Sequence, residues 1–193
     1  MGGTHTRRLP LPVPPPQAGR GPCGNARRTF TVRDACSMTP EQQLTVQNLN
    51  ARYVEAIDDG KLEAWPDFFT EHGRYRITTA ENFARDLPLA MIHATSRAML
   101  RDRVRSLRDA NVYEGQRYRH VLGAPLVEAD SAGALGARTS FIVARIMHTG
   151  ETTLFATGRY LDRIVIEHDT PRFAEKLVIL DSRRIDTLLA LPL

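Results

Sequence analysis

Two adjacent carboxylates, Asp58 and Asp59, lie in the stretch YVEAIDDGKLEAWPDFF, and a histidine, His120, follows well downstream. An aspartate and a histidine brought together in an apolar pocket make a workable general acid/base couple. The same residues also have a plainer reading: Asp58 and Asp59 end a helix before Gly60, and His120 donates hydrogen bonds within a packed core or an interface. Residue types alone make the plainer reading the default.

Other chemistry finds less support. His72, His93, His120, His148 and His168 include no pair four residues apart, and no carboxylate completes a facial triad by spacing. Cys23 and Cys36 both fall in the first 37 residues, so the remainder has no thiolate for an iron–sulfur cluster or a nucleophile. That cysteine usage points to the cytoplasm. Phosphate-cradling loops, a nucleophile elbow and a dinucleotide fingerprint are missing. Gly133 and Gly136 are expected in a hairpin loop.

Composition divides the chain. Residues 1–37 hold six arginines against one acid, with six of the twelve prolines and five of the thirteen glycines. Such a segment cannot bury enough apolar surface to offset its ordering entropy and is expected to be a disordered extension or a mis-called start. Pro10, Pro12 and Pro14 interrupt the apolar run that a twin-arginine export signal would need after Arg7-Arg8. The arginines are scattered and lack an aromatic platform, which argues against nucleic-acid binding. Residues 38–193 carry 20 basic and 21 acidic side chains, with no run near the roughly 18 apolar residues of a membrane span. One domain is expected there.

Thr39-Pro40-Glu41-Gln42 reads as a capping box opening a helix, with Leu44, Ala51, Val54 and Ile57 at helical spacing and Gly60 as its left-handed stop. KLEAWPDFF should pack Leu62, Trp65, Phe68 and Phe69 inward as two turns broken at Pro66. GRYRITT alternates as a strand, residues 80–94 are ambiguous, and Ser96 caps RAMLRDRVRSLRDAN. In that helix Leu100, Val104 and Leu107 form the apolar stripe, and Arg97, Arg101, Arg105 and Arg108 a solvated or partner-facing side. From Arg117 onward come long alternating runs, RYRHVLGAPLVEAD, RTSFIVARIMHTG, ETTLFATGRYLDRIVIEH and RFAEKLVILDSRRID, separated by SAGALGA, HTGE and HDTP. Helices first and antiparallel strands afterwards predict an α+β fold.

This order of elements resembles the NTF2-like (cystatin-like) cone, in which N-terminal helices pack in a strongly curved, mainly antiparallel sheet. Nuclear transport factor 2, ketosteroid isomerase and scytalone dehydratase share that fold. AMLRDRVRSLRDANVYEGQRYRH resembles the beta (small) subunits of aromatic-ring-hydroxylating dioxygenases, while RIMHTGETTLFATGRYLDR and DTLLALPL look closest to the small subunit of terephthalate 1,2-dioxygenases. The likeness runs from about Met38 to Leu193.

The resemblance implies a non-catalytic beta subunit in an α3β3 hexamer for aromatic compound catabolism. A partner alpha subunit would carry the Rieske [2Fe-2S] cluster and the mononuclear iron, and a reductase would pass on NAD(P)H electrons. This chain would hold no cofactor, and Arg103, Arg117, Tyr118, Arg119 and His120 would contact alpha or other beta subunits. The alternative implied by the same fold is a free-standing dehydratase or isomerase using Asp58 and His120. Ile57 stands where a dehydratase would place a tyrosine.

Overall fold

The computed structural model describes residues 39–109, 114–129, 133–184 and 189–193. The 1–37 extension, with Cys23, Cys36 and Arg7-Arg8, lies outside the described residues, as do positions 186–188 of the DTLLALPL motif. Among the described residues, helix α1 spans Pro40–Asp58, a 3-10 turn η1 spans Leu62–Phe68, and strand β1 spans Phe69–Thr79. A short helix α2 (Ala80–Ala84) and strand β2 (Ile92–Ala94) follow, then helix α3 (Arg97–Asp109). Strands β3 (Gln116–Leu122), β4 (Leu126–Ala129), β5 (Leu135–Met147), β6 (Thr152–Glu167) and β7 (Thr170–Leu180) complete the order.

The strands form one open sheet in the order β2-β1-β7-β6-β5-β3, with β4 also paired to β5. It is mixed rather than purely antiparallel, because β1 runs parallel to β7. The α+β cone-like architecture expected from the element order is present. α1 lies across the inner face, touching β3, β4 and β7, and α3 packs on η1 and β1.

Local chemistry explains the ends of α1. The Thr39 side chain accepts from Gln42 N–H while the Gln42 side chain accepts from Thr39 N–H, at 3.2 and 3.1 Å. At the other end, Lys61 N–H reaches Ala56 O and Gly60 N–H reaches Ile57 O, with Gly60 at φ 71°. This is the two-bond left-handed stop that glycine allows. The buried stripe differs from the expected one. Leu44 and Ala51 are exposed, whereas Val46, Leu49, Asn50, Tyr53 and Ile57 face the core. Asn50 and Tyr53 bond inside the core, so polar atoms disguise the stripe from an apolar count.

Three other expectations change. Pro66 sits within a single 3-10 turn instead of dividing the segment. RYRHVLGAPLVEAD is two strands, not one, because Gly123-Ala124-Pro125 interrupts it and Pro125 has no N–H for a ladder. Leu135–Ala137 belongs to β5, so the hairpin loop is shorter than SAGALGA. The HDTP turn closes on His168 and Asp169, both at positive φ between paired Glu167 and Thr170, the backbone of a tight two-residue hairpin.

Aromatic side chains fill the core. Tyr53 makes edge-on contacts with Phe68, Phe69, Tyr160 and Phe173, and Trp65 packs on Phe69 and Tyr75. Residues 189–193 return into this cluster, where Leu193 is fully buried.

Candidate functional site

The last turn of α1 gives its two carboxylates opposite surroundings. Asp59 faces solvent and pairs with Lys61 at 2.9 Å. That hydrogen bond, and then the lysine charge, holds its carboxyl below the usual value. Asp58 is turned under the sheet edge. Its Oδ2 accepts the backbone N–H of His120 at 2.9 Å, and its Oδ1 lies 2.6 Å from His120 Nδ1.

An ionised Asp58 only accepts, so the proton of this pair sits on Nδ1. Nε2 is then the nitrogen able to act as a base, and it is buried without a hydrogen-bond partner among the described residues. The orientation is that of an acid/base dyad, yet the imidazole is wholly enclosed. The same two bonds, one of them from a backbone N–H, clasp an edge strand, β3, to the end of α1. Such an anchor relieves an otherwise unpaired edge.

Alternation along β3 separates the RYRH residues. Tyr118 and His120 point inward and are buried, while Arg117 and Arg119 point outward and are exposed. Tyr118 stacks on Phe155 with ring centroids 5.1 Å apart. Arg119 also reaches Asp58 across 3.9 Å. A cleft of about 530 Å³ opens between the α1 end and β3, lined by Asp58, Gly60, Arg117, Tyr118, Arg119 and Leu191 among others.

Arg103 serves the interior. Its guanidinium donates to the carbonyls of Leu189 and Ala190, both at 3.1 Å, and partial burial pushes its pKa down. The returning segment is held again at Leu193, whose oxygen accepts from Tyr53 Oη at 2.9 Å and Tyr75 Oη at 3.0 Å. Trp65 Nε1 in turn donates to Tyr53 Oη. Ala190, Leu191 and Leu193 are therefore part of the packed core.

The arginine side of α3 is largely turned to its own chain. Arg97 donates to Phe69 O, Arg101 lies 3.5 Å from Asp67, and Arg108 grips Glu63 through two bonds and Gly60 O through a third. The bond from Arg108 lowers the Glu63 pKa.

One polar group went unnoticed in the sequence. Lys176 on β7 and Asp162 on β6 are completely buried and paired at 3.1 Å, with Asn50 of α1 a third partner. Asn50 itself bonds Thr139. The Lys176 ammonium lies 3.8, 4.3 and 4.5 Å from the ring centres of Tyr160, Phe173 and Tyr53, within cation–π range. Burial pushes the lysine down to about 8 and raises the Asp162 carboxyl. The only hint in the sequence was a lone charge at an inward position of each alternating run, FAEKLVIL and GRYLDRIVI.

Among the described residues, no three His, Cys, Asp or Glu side chains converge to hold a metal, and no helix is long and apolar enough to cross a membrane. A Rieske cluster or a mononuclear iron finds no fitting set of ligands in these residues.

Residues 39–176 match the SnoaL-like domain family. The chain is 43% identical over 151 residues, 78% of its length and 98% of the other's, to the terminal oxygenase component subunit beta 1 of terephthalate 1,2-dioxygenase from Comamonas sp.. It is 39% identical over 145 residues, covering 75% of this chain and 90% of the other, to the anthranilate 1,2-dioxygenase small subunit of Burkholderia cepacia. Among solved structures, the beta subunit of a candidate aromatic-ring-hydroxylating dioxygenase from Novosphingobium aromaticivorans superposes with a TM-score of 0.72 at 34% identity. That match covers 78% of this chain and 96% of the other.

Proposed function

The chain belongs to the SnoaL-like domain family and, within it, to the beta subunits of aromatic-ring-hydroxylating dioxygenases, and we propose that its oxygenase acts on terephthalate. As a beta subunit it pairs with an alpha subunit that carries out the oxidation. We further propose an α3β3 assembly, with the Rieske cluster and mononuclear iron in alpha and electrons delivered from NAD(P)H through a reductase. The beta-subunit domain is residues 38–193, and residues 1–37 are an extension to it.

The observation that carries the substrate assignment is the 43% identity to a terephthalate dioxygenase beta subunit along 98% of that protein. A structural role is supported by the packed interior. Leu193 and Ala190 fill the space beneath the helices, and the Asp58–His120 dyad is enclosed and tied to an edge strand. These residues brace the fold while the chemistry takes place in the partner. Of the five residues expected at subunit contacts, Arg117 and Arg119 face outward.

The test is co-expression with a large subunit of the same oxygenase system. We expect the two chains to co-purify, iron to follow the large subunit, and terephthalate to be consumed only when both chains and a reductase are present. Conversion of a hydroxylated ring substrate by this chain alone would overturn the reading.

A further inference from the structure

Asn50 of α1, Asp162 of β6 and Lys176 of β7 meet in the interior between helix and sheet, all three buried. Lys176 Nζ donates to both carboxylate oxygens of Asp162, at 3.2 and 3.1 Å, and to Asn50 Oδ1 at 3.2 Å. The Asn50 side chain also bonds Asp162, and its nitrogen donates to Thr139 Oγ1 at 3.2 Å. One carboxyl therefore touches both an amine and the amide which that amine faces. The rings of Tyr53, Tyr160 and Phe173 close around the lysine head.

Burial favours the uncharged forms of both ionisable partners. It pushes Lys176 down to about 8 and raises the Asp162 carboxyl. Passing a proton from Nζ to Asp162 leaves a nucleophilic amine beside a carboxylic acid able to donate. The fold holds both against the amide, which removes the entropic cost of bringing them together.

We infer that Lys176 and Asn50 form a self-modification site, closed by an isopeptide bond between Nζ and the Asn50 Cγ, with Asp162 as the group that moves the protons. The lone pair of the free amine attacks Cγ. Asp162 gives its proton to Nδ2 and takes one from the attacking nitrogen. The Cγ–Nδ2 bond then breaks, its electron pair leaves with the nitrogen as ammonia, and Asp162 ends the step protonated as it began it. No oxidant, reductant or cofactor enters. Before closure the pair is ionisable and its stability follows pH; after closure the amine is gone, and that dependence goes with it.

The experiment weighs the intact full chain after it has been held folded at about pH 9, above the folded lysine value of about 8. The chain should be lighter than its sequence by one ammonia. Trypsin should release residues 34–52 joined to residues 173–183, with Lys176 uncleaved. A tie between positions 126 apart should also make the denatured chain run faster in electrophoresis, because it closes a long loop. Lys176→Met and Asn50→Ala should keep their full masses, and Asp162→Asn should slow closure by about a hundredfold or more; circular dichroism shows which of them fold. A control independent of substitution is the parent chain recovered from inclusion bodies, which should keep its full mass in urea and lose ammonia only after refolding. A folded parent that keeps its full mass overturns the inference. So does loss of ammonia without the linked peptides, or loss of water instead, which would join Lys176 to Asp162. If folded Asp162→Asn closes as fast as the parent, the mechanism is wrong.

Discussion

Asp58 and Asp59 are neighbours in sequence with different chemistry, since one is enclosed against His120 and the other is solvated beside Lys61. Asp58→Asn should weaken or remove two charge-assisted bonds and cost about 1.5–3 kcal/mol in urea unfolding. It should leave turnover per assembled oxygenase unchanged, whereas an acid/base enzyme would lose its activity. The buried Lys176 gives a second residue-scale prediction. Lys176→Met strands the Asp162 carboxyl and should cost about 3–5 kcal/mol, most of which Lys176→Met with Asp162→Leu should restore.

The same lysine shapes the pH dependence. Its folded pKa, about 8, lies below its ordinary value of 10.5. Between those values the unfolded chain binds a proton that the folded chain does not, so its contribution to stability rises with pH. Tyr53, Tyr75 and Tyr160 act oppositely. Burial raises their pKa values above the ordinary 10.0, so their contribution is present below pH 10 and is lost as the unfolded phenols ionise above it. Urea titrations should show stability increasing from about pH 8 to 10 and falling beyond. The Lys176→Met variant should lack the rise.

At the scale of elements, legibility followed how local the cause was. The Thr39 box, the Gly60 stop and the Ser96 cap each depend on residues within one turn, and each was visible in the sequence. Thr39→Ala should cost about 1 kcal/mol by thermal melting. The parallel β1–β7 pairing, the fold-back of residues 80–91 and the pairing of Arg97, Arg101 and Arg108 of α3 within their own chain depend on partners far along the chain, and short-range patterns do not encode them. The candidate site behaves likewise. Asp58 and His120 could be matched by type, but the Lys176–Asp162–Asn50 network required three elements to be placed first. Gly158 shows how closely those elements meet. A Cβ there would collide with the Ile179 carbonyl of β7 and touch the Phe141 ring. Gly158→Ala should therefore destabilise by about 1–3 kcal/mol or more through overpacking, visible as a lower melting temperature.

At the scale of the molecule, the 189–193 segment decides whether the interior is closed. Deleting it removes buried Leu191 and Leu193 and leaves Arg103, Tyr53 and Tyr75 without their acceptors. Each leucine contributes about 1.5–3 kcal/mol, so at roughly 2–4 °C per kcal/mol the melting temperature should fall by on the order of 10 °C. Calorimetry of the truncated chain measures this. The bonds lost join residues 118 and 140 positions apart, and that separation governs the order of events during synthesis. α1 and β1 leave the ribosome long before their final partners exist. Their aromatic face must wait uncovered, open to chaperones or to premature association, until residues 189–193 emerge. High contact order slows folding, and here it also delays completion of the core until nearly all of the described chain has been made.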